Sequence, residues 1–434
     1  MDVSGTIYTI RRSFLRDRIN ILLLRGSNVK PVALAQDIYR ISANIGSRDL
    51  FEGIWPIPNG VSLNSYLVKG SRYTALIDLV KDWEGAAGSV SAQLKDTGCD
   101  ITDIDYLILN HMEPDHTGWL ADVKQKHPQL KILCSKRAVP LVEAFYGFSD
   151  QVQAVSDGET LDLGGKQLVF YDAPNVHWPE TMVTYEPASK ILFSCDAFGS
   201  FGQVHEAVFD DQLSDLEMKF FEGETLRYYA NIVSSFSIFV QRAIKKLSAL
   251  DISIIAPSHG IIWRKNPASI ITMYERLASY MNGPAEQEVT LVWSSMYGNT
   301  EALVDAVVSG LDAESVPVNI HRVPQDHVSY VLASAWRSSG IIIGMPTYEY
   351  RMFPPMYSVL DVLERSHVMN RKAFRFGSYG WSGGAQKQFD EFSEKMKWEC
   401  LGSVEFHGAP SREDRETAYG RARELAQRVK QWTL

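Results

Sequence analysis

From about residue 36 the chain alternates short apolar runs with turn-forming residues: Tyr73 to Val80 (YTALIDLV), Tyr106 to Asn110 (YLILN), Lys131 to Cys134 (KILC), Ile191 to Ser194 (ILFS) and Ile252 to Ala256 (ISIIA). Apolar runs of this length, bounded by polar turn residues, read as strands. Longer helical patterns lie among them, notably Tyr228 to Leu250 and Ala268 to Met281, so a layered α/β domain is expected. Asn282-Gly283-Pro284 then breaks any helix, and a polar linker follows. The boundary is placed there, giving a first domain over 36–283, a second over 287–434, and an N-terminal extension over 1–35.

Past the boundary the rhythm becomes regular. Strands are expected at Val289 to Ser295, Val318 to Val323, Gly340 to Gly344 and Ala373 to Phe376, with a helix from about Thr300 and a helical C-terminus from about Arg412. Such alternation is the pattern of a doubly wound parallel sheet of flavodoxin type, whose ligands sit at the carboxyl ends of the strands.

Composition narrows the class without changing this picture. The chain is 45% hydrophobic and 22% charged, as globular proteins are, and no uninterrupted apolar stretch is long enough to span a bilayer. No membrane association is expected. A formal charge of −9 with no basic block argues against nucleic acid as a partner. Cys99, Cys134, Cys195 and Cys400 lie far apart and form no CxxC pair, so they read as reduced thiols. Near the N-terminus, Arg11, Arg12, Phe14 and Leu15 (RRSFL) look like a twin-arginine export signal, with Ala33-Leu34-Ala35 imitating a cleavage site. Arg16, Asp17, Arg18 and Arg25 interrupt the apolar stretch that such a signal needs, so an accessory extension and a cytoplasmic location are expected.

The chemistry begins after the strand YLILN, where His111, Glu113, Asp115 and His116 form H-x-E-x-D-H. In an uninterrupted strand Asp115 and His116 would point to opposite faces, so convergence requires the chain to leave the strand into a loop there. His177 in NVHWPET, Asp196 in FSCDAFG and His259 in APSHG each follow a strand-like run. Together they make seven ligands, enough for two cations if one carboxylate bridges. His127, His205, His321, His327, His367 and His407 lack clustered partners and read as ordinary polar residues. The spacing resembles that of the metallo-β-lactamase superfamily, whose usual cluster is H-x-H-x-D-H. Glu113 stands where that cluster has an imidazole and offers a harder, charged oxygen donor, which shifts the site from zinc toward iron or manganese.

In the second half, Ser295, Met296, Tyr297, Gly298, Asn299 and Thr300 (SMYGNT) lie between a strand and a helix, where small residues let the backbone curl round a phosphate. No GK[ST] follows, so this is not a triphosphate loop. Two further loops combine glycine with aromatic residues able to stack on a flat ring: GMPTYEYRMFPP, with Pro346, Thr347 and Tyr348, and GSYGWSGG, with Ser378, Tyr379, Gly380, Trp381 and Gly383. Three such loops on one doubly wound sheet point to FMN.

The combination resembles the flavodiiron proteins, on LFEGIWPIPNGVSLNSYL, HMEPDHTG, HWPETM, SCDAFG, PSHG and FGSYGWSGGA, over residue 36 to the end. The resemblance implies a metallo-β-lactamase-like αββα sandwich followed by a flavodoxin-like domain, carrying two iron ions and FMN. It implies reduction of dioxygen to water, of nitric oxide to nitrous oxide, or both. His111, Glu113 and His177 would bind one iron, Asp115, His116 and His259 the other, with Asp196 bridging. A head-to-tail homodimer is implied, as is an external electron donor such as rubredoxin or its reductase. The loop TYEYRMFPP departs from the asparagine-rich form common in that family. Two alternatives stay open: a hydrolase of the metallo-β-lactamase superfamily with an accessory flavodoxin-like module, and a non-catalytic flavin electron-transfer protein.

Overall fold

The computed structural model describes residues 30–46 and 48–432. The RRSFL segment lies outside the described residues. Those described divide into two compact units, one ending at Ala278 and the other beginning at Ser279.

The first unit is built on two sheets. The larger orders Val32–Ala35, Ile38–Ile45, Val61–Lys69, Thr74–Ile77, Tyr106–Leu109, Lys131–Ser135 and Val152–Val155 side by side. Its first four strands pair antiparallel and the remainder parallel. The smaller orders Thr160–Asp162, Gln167–Asp172, Met182–Glu186, Ile191–Cys195 and Ile254–Pro257. Ile191–Cys195 is buried along its whole length between Met182–Glu186 and Ile254–Pro257, which explains its mostly apolar sequence.

The two sheets meet through a polar seam as well as an apolar core. The Tyr66 hydroxyl donates to the Pro257 carbonyl at 2.6 Å, and the Asn64 amide donates to the same oxygen at 2.9 Å. Helix Ala86–Asp96 packs on Ile38–Ile45. Helices Ser237–Leu247 and Pro267–Ser279 cover the smaller sheet, with Val240 and Tyr274 facing Val183. The layers are therefore αββα.

Several boundaries differ from expectation. Val32–Ala35, placed in the extension, pairs with the strand after it through a turn in which Asp37 has φ 60°. The helix expected over Tyr228 to Leu250 is a longer path: Asp215–Tyr228, a π turn Tyr229–Val233, a 3-10 turn Ser234–Phe236, then Ser237–Leu247. Ser214 and Glu217 form a capping box that starts it.

The second unit is one parallel sheet in the order Val318–Arg322, Glu286–Trp293, Ser338–Gly344, Lys372–Tyr379, Glu399–His407. Helices Val304–Asp312, Val328–Arg337, Pro354–Arg365, Ala385–Lys395 and Arg412–Gln431 connect or follow the strands. The chain runs from the first strand to an edge and back across it to the third. The ends of Glu286–Trp293 and Ser338–Gly344 thus flank the switch point where such sheets bind ligands. Among the described residues no helix is long and apolar enough to cross a membrane.

Candidate functional site

Each predicted metal ligand sits just past a strand or between two. His111 follows Tyr106–Leu109, Asp196 follows Ile191–Cys195, His259 follows Ile254–Pro257, and His177 lies between Gln167–Asp172 and Met182–Glu186. Asp115 and His116 are not in an open loop as expected. They belong to a single helical turn, Pro114–Thr117, with Glu113 as its N-cap and Pro114 at its first position. Helical rotation of about 100° per residue does what a loop was invoked to do, bringing adjacent side chains to one cavity.

The seven side chains form two donor sets. In one, His177 Nε2 lies 3.0 Å from Glu113 Oε2 and 3.4 Å from Asp196 Oδ2, and His111 Nε2 lies 3.4 and 3.5 Å from the same two oxygens. In the other, His259 Nε2 lies 3.1 Å from Asp115 Oδ2, while His116 Nε2 and His259 Nε2 lie 3.1 and 3.2 Å from Asp196 Oδ1. Donors each about 2.1 Å from one cation stand about 3.0 to 3.4 Å apart, so both sets match a metal's shell. Asp196 turns one oxygen to each set.

The hydrogen-bond inventory agrees with cation binding. His111 Nε2, His259 Nε2, Asp196 Oδ2 and both Asp115 oxygens are buried without a hydrogen-bond partner. Buried polar atoms rarely stay so unless something else coordinates them. Burial opposes charging an imidazole, yet Asp196 and Glu113 raise His177 to about 10, and Asp115 and Asp196 raise His259 to about 9. Burial likewise disfavours the Glu113 anion, but His111 and His177 pull it down to about 2. The carboxylates that draw protons onto these buried imidazoles also attract divalent cations.

Residues that sequence patterns missed hold the ligands in place. His111 Nδ1 donates to Glu180 Oε1 at 2.7 Å, and the Met112 amide donates to that oxygen at 3.0 Å. His259 Nδ1 donates to the Ser62 carbonyl at 2.9 Å, and His116 Nδ1 faces Asp78 Oδ2 at 3.9 Å. These contacts leave each Nε2 pointing at the donor set. The Tyr228 hydroxyl donates to Asp196 Oδ1 at 3.0 Å. Trp178 and Phe51 set ring edges against His111 and His259, at 5.0 and 5.5 Å between centroids.

In the second unit the predicted loops converge at the carboxyl edge of the sheet. Ser295 Oγ accepts from the Gly298 amide at 2.9 Å, curling SMYGNT into a turn in which Gly298 has φ 93°. The helix expected from Thr300 opens as a 3-10 turn, Glu301–Leu303. Thr300 Oγ1 lies 3.2 Å from Ser378 Oγ and accepts from the Ser378 amide at 3.3 Å, tying the first loop to the third. Ser378 and Tyr379 are the last residues of the strand Lys372–Tyr379, not of a loop. Pro346 is buried, whereas Thr347 and Tyr348 pair with Arg351–Met352 as a small hairpin. A side chain at Gly384 would meet the Tyr350 carbonyl at 2.1 Å, so glycine lets the second and third loops touch. Tyr297, Trp381 and Tyr350 are largely exposed, and Tyr348 and Met296 partly so. Asn299 and Gly383 are half-buried and Gly380 is exposed. A polar turn for a phosphate beside exposed aromatic surface fits a flavin mononucleotide.

Fold and site together define a metallo-β-lactamase-like metal-binding unit in one chain with a flavodoxin-like unit. Residues 61–260 match the family model described as ODP family beta lactamase. The chain is 35% identical over 352 residues to the anaerobic nitric oxide reductase flavorubredoxin of Vibrio vulnificus, covering 79% of this chain and 69% of that one. It is 33% identical over 382 residues to the protein so named in Escherichia coli, covering 86% and 77%. Among solved structures, the rubredoxin oxygen:oxidoreductase of Desulfovibrio gigas superposes with a TM-score of 0.86 at 26% identity, covering 93% of this chain and 99% of that one. The flavodiiron protein of Giardia intestinalis does so with a TM-score of 0.86 at 25% identity, covering 94% and 98%. The chain belongs to the flavodiiron protein family.

Proposed function

We propose that the protein is an oxidoreductase that reduces dioxygen to water, nitric oxide to nitrous oxide, or both, with a di-iron centre in the domain over 36–283 and FMN in the domain over 287–434. The observation that carries the reading is Asp196, whose two carboxylate oxygens face two separate donor sets. In this reading His111, Glu113 and His177 hold one iron, Asp115, His116 and His259 the other, and Asp196 both. The names of the relatives, which are reductases, favour it over a hydrolase or a passive electron carrier.

Iron and FMN, when bound, supply the one- and two-electron chemistry that side chains lack. The chain's residues do the rest. Glu113, Asp115 and Asp196 would offset three of the four positive charges of two divalent ions, leaving a site that still attracts an anion or a reducible diatomic. Glu180 fixes the tautomer of His111. The Tyr228 hydroxyl donates to Asp196 Oδ1 and so holds a proton beside that carboxylate. Ser295 to Thr300 take the flavin phosphate, and Thr347, Tyr348, Tyr379 and Trp381 border the ring. The partner supplying electrons is a rubredoxin or its reductase, the active form is a head-to-tail homodimer, and the location is cytoplasmic.

Purified protein should contain about two irons and one FMN per chain and, once reduced, consume at least one of the two gases. Zinc occupancy with lactam or thioester hydrolysis overturns the proposal. Measuring both gases on one loaded preparation fixes the preference between them.

A further inference from the structure

The smaller sheet of the first unit hides an apolar cavity of about 20 Å³ beneath helices Ser237–Leu247 and Pro267–Ser279. Val176, Ala197, Phe198, Val240, Ile244 and Tyr274 contribute to its wall, and no polar atom faces it. The one hydroxyl in the wall, on Tyr274, donates away from it to the Gly199 carbonyl at 3.1 Å. Water needs two to four polar partners and finds none here, although the space is large enough for one small molecule. Its inner wall is contiguous with the metal ligands along the chain, because Val176 precedes His177 and Ala197 follows Asp196. Its outer wall is Ile244, which also lines a surface groove of about 410 Å³ with Gln241, Lys245, Ser248 and Glu275. Ile244 is the residue common to groove and cavity, and Val240, one helical turn away, lines the cavity alone.

We infer that this cavity is a holding site for a small apolar gas molecule, entered from the groove past Ile244 and emptying toward the metal ligands. The inference rests on the proposed gas-reducing function. A dry pocket lined by carbon favours a sparingly water-soluble diatomic over water and over charged solutes. Standing behind His177 and Asp196, it raises the concentration of substrate next to the centre without offering a path for water. A polar access route from the opposite side would hydrate the ligands each time it opened.

The test begins with xenon, a dry apolar probe of similar size, applied under pressure to crystals of the iron- and FMN-loaded protein. Density for xenon between Val240 and Tyr274 is expected. Val240→Phe should fill the space, abolish that density, and lower kcat/KM for the gas about fivefold while leaving iron and FMN content unchanged. If that variant fails to fold, Val240→Ile, which adds one methylene, should lower xenon occupancy and kcat/KM about twofold. Absence of xenon from this cavity in a wild-type protein that consumes the gas overturns the inference alone. So does a filled cavity with wild-type kcat/KM. Wild-type protein that carries both cofactors and consumes neither gas overturns the functional reading instead, whatever xenon does.

Discussion

Asp196 joins two donor sets that share no other side chain, so shortening it should empty or split the metal pair. Asp196→Ala is expected to drop iron from about two per chain to one or none while FMN absorbance stays full. Loss of flavin with iron retained would falsify the assignment. Glu180 acts one bond further out: it orients His111 through a 2.7 Å hydrogen bond. Glu180→Gln keeps the shape and loses the charge, and apparent iron affinity should fall about 10- to 100-fold in a chelator competition. Unchanged affinity would reduce Glu180 to a packing residue. Sequence singled out the proposed ligands because four chelating residues within six positions are rarely accidental. Glu180, Asp78 and Tyr228 gave no such signal. The partner of each, His111, His116 or Asp196, is distant in sequence and meets it only after folding, so even Glu180, which lies within HWPETM, carries no local mark of the contact it makes.

At the level of elements, the helix Asp215–Tyr228 was illegible up to its last residue for a physical reason. Its buried face carries Glu224 and Arg227, paired at 2.6 Å with Arg227 also stacked on Phe201 at 4.3 Å, where a pattern search looks for aliphatic residues. Glu224→Ala should strand a buried guanidinium and cost about 3 kcal/mol in urea unfolding. A cost under 1 kcal/mol would mean that Arg227 finds adequate partners elsewhere, since it also donates to the Pro56 carbonyl. The hairpin within TYEYRMFPP turns on Glu349 at φ 47° and Tyr350 at φ 62°. Two left-handed residues in a two-residue turn are the conformation that Asn-Gly prefers. Glu349→Asn should therefore gain about 0.5 kcal/mol, and no gain would show that the local turn carries little strain. The parallel strands of the second unit, by contrast, were plain in sequence, because strands buried on both faces need unbroken apolar runs such as Ile341 to Ile343.

Across the whole molecule, the metal ligands and the flavin loops lie in different compact units. A ferrous chelator is therefore expected to strip iron and lower the melting temperature of one calorimetric transition while the flavin stays bound. Coincident loss of both would show that the two sites are thermodynamically joined. Asn282-Gly283-Pro284 and the change of rhythm after it put the expected boundary at 283–287, whereas the compact units divide between Ala278 and Ser279. The strands Ile38–Ile45 and Val61–Lys69 were not legible, because they bury polar residues such as Arg40, Asn64 and Ser65 among the aliphatics.

The order in which the ligands arrive along the chain has a consequence during synthesis. His111 to Asp196 emerge first, but His259 reaches the site only when Ile254–Pro257 has docked beside Ile191–Cys195. Until then the nascent chain presents an open nest of carboxylates and imidazoles able to capture whatever divalent ion is most abundant. Correct loading then depends on closing the second donor set quickly.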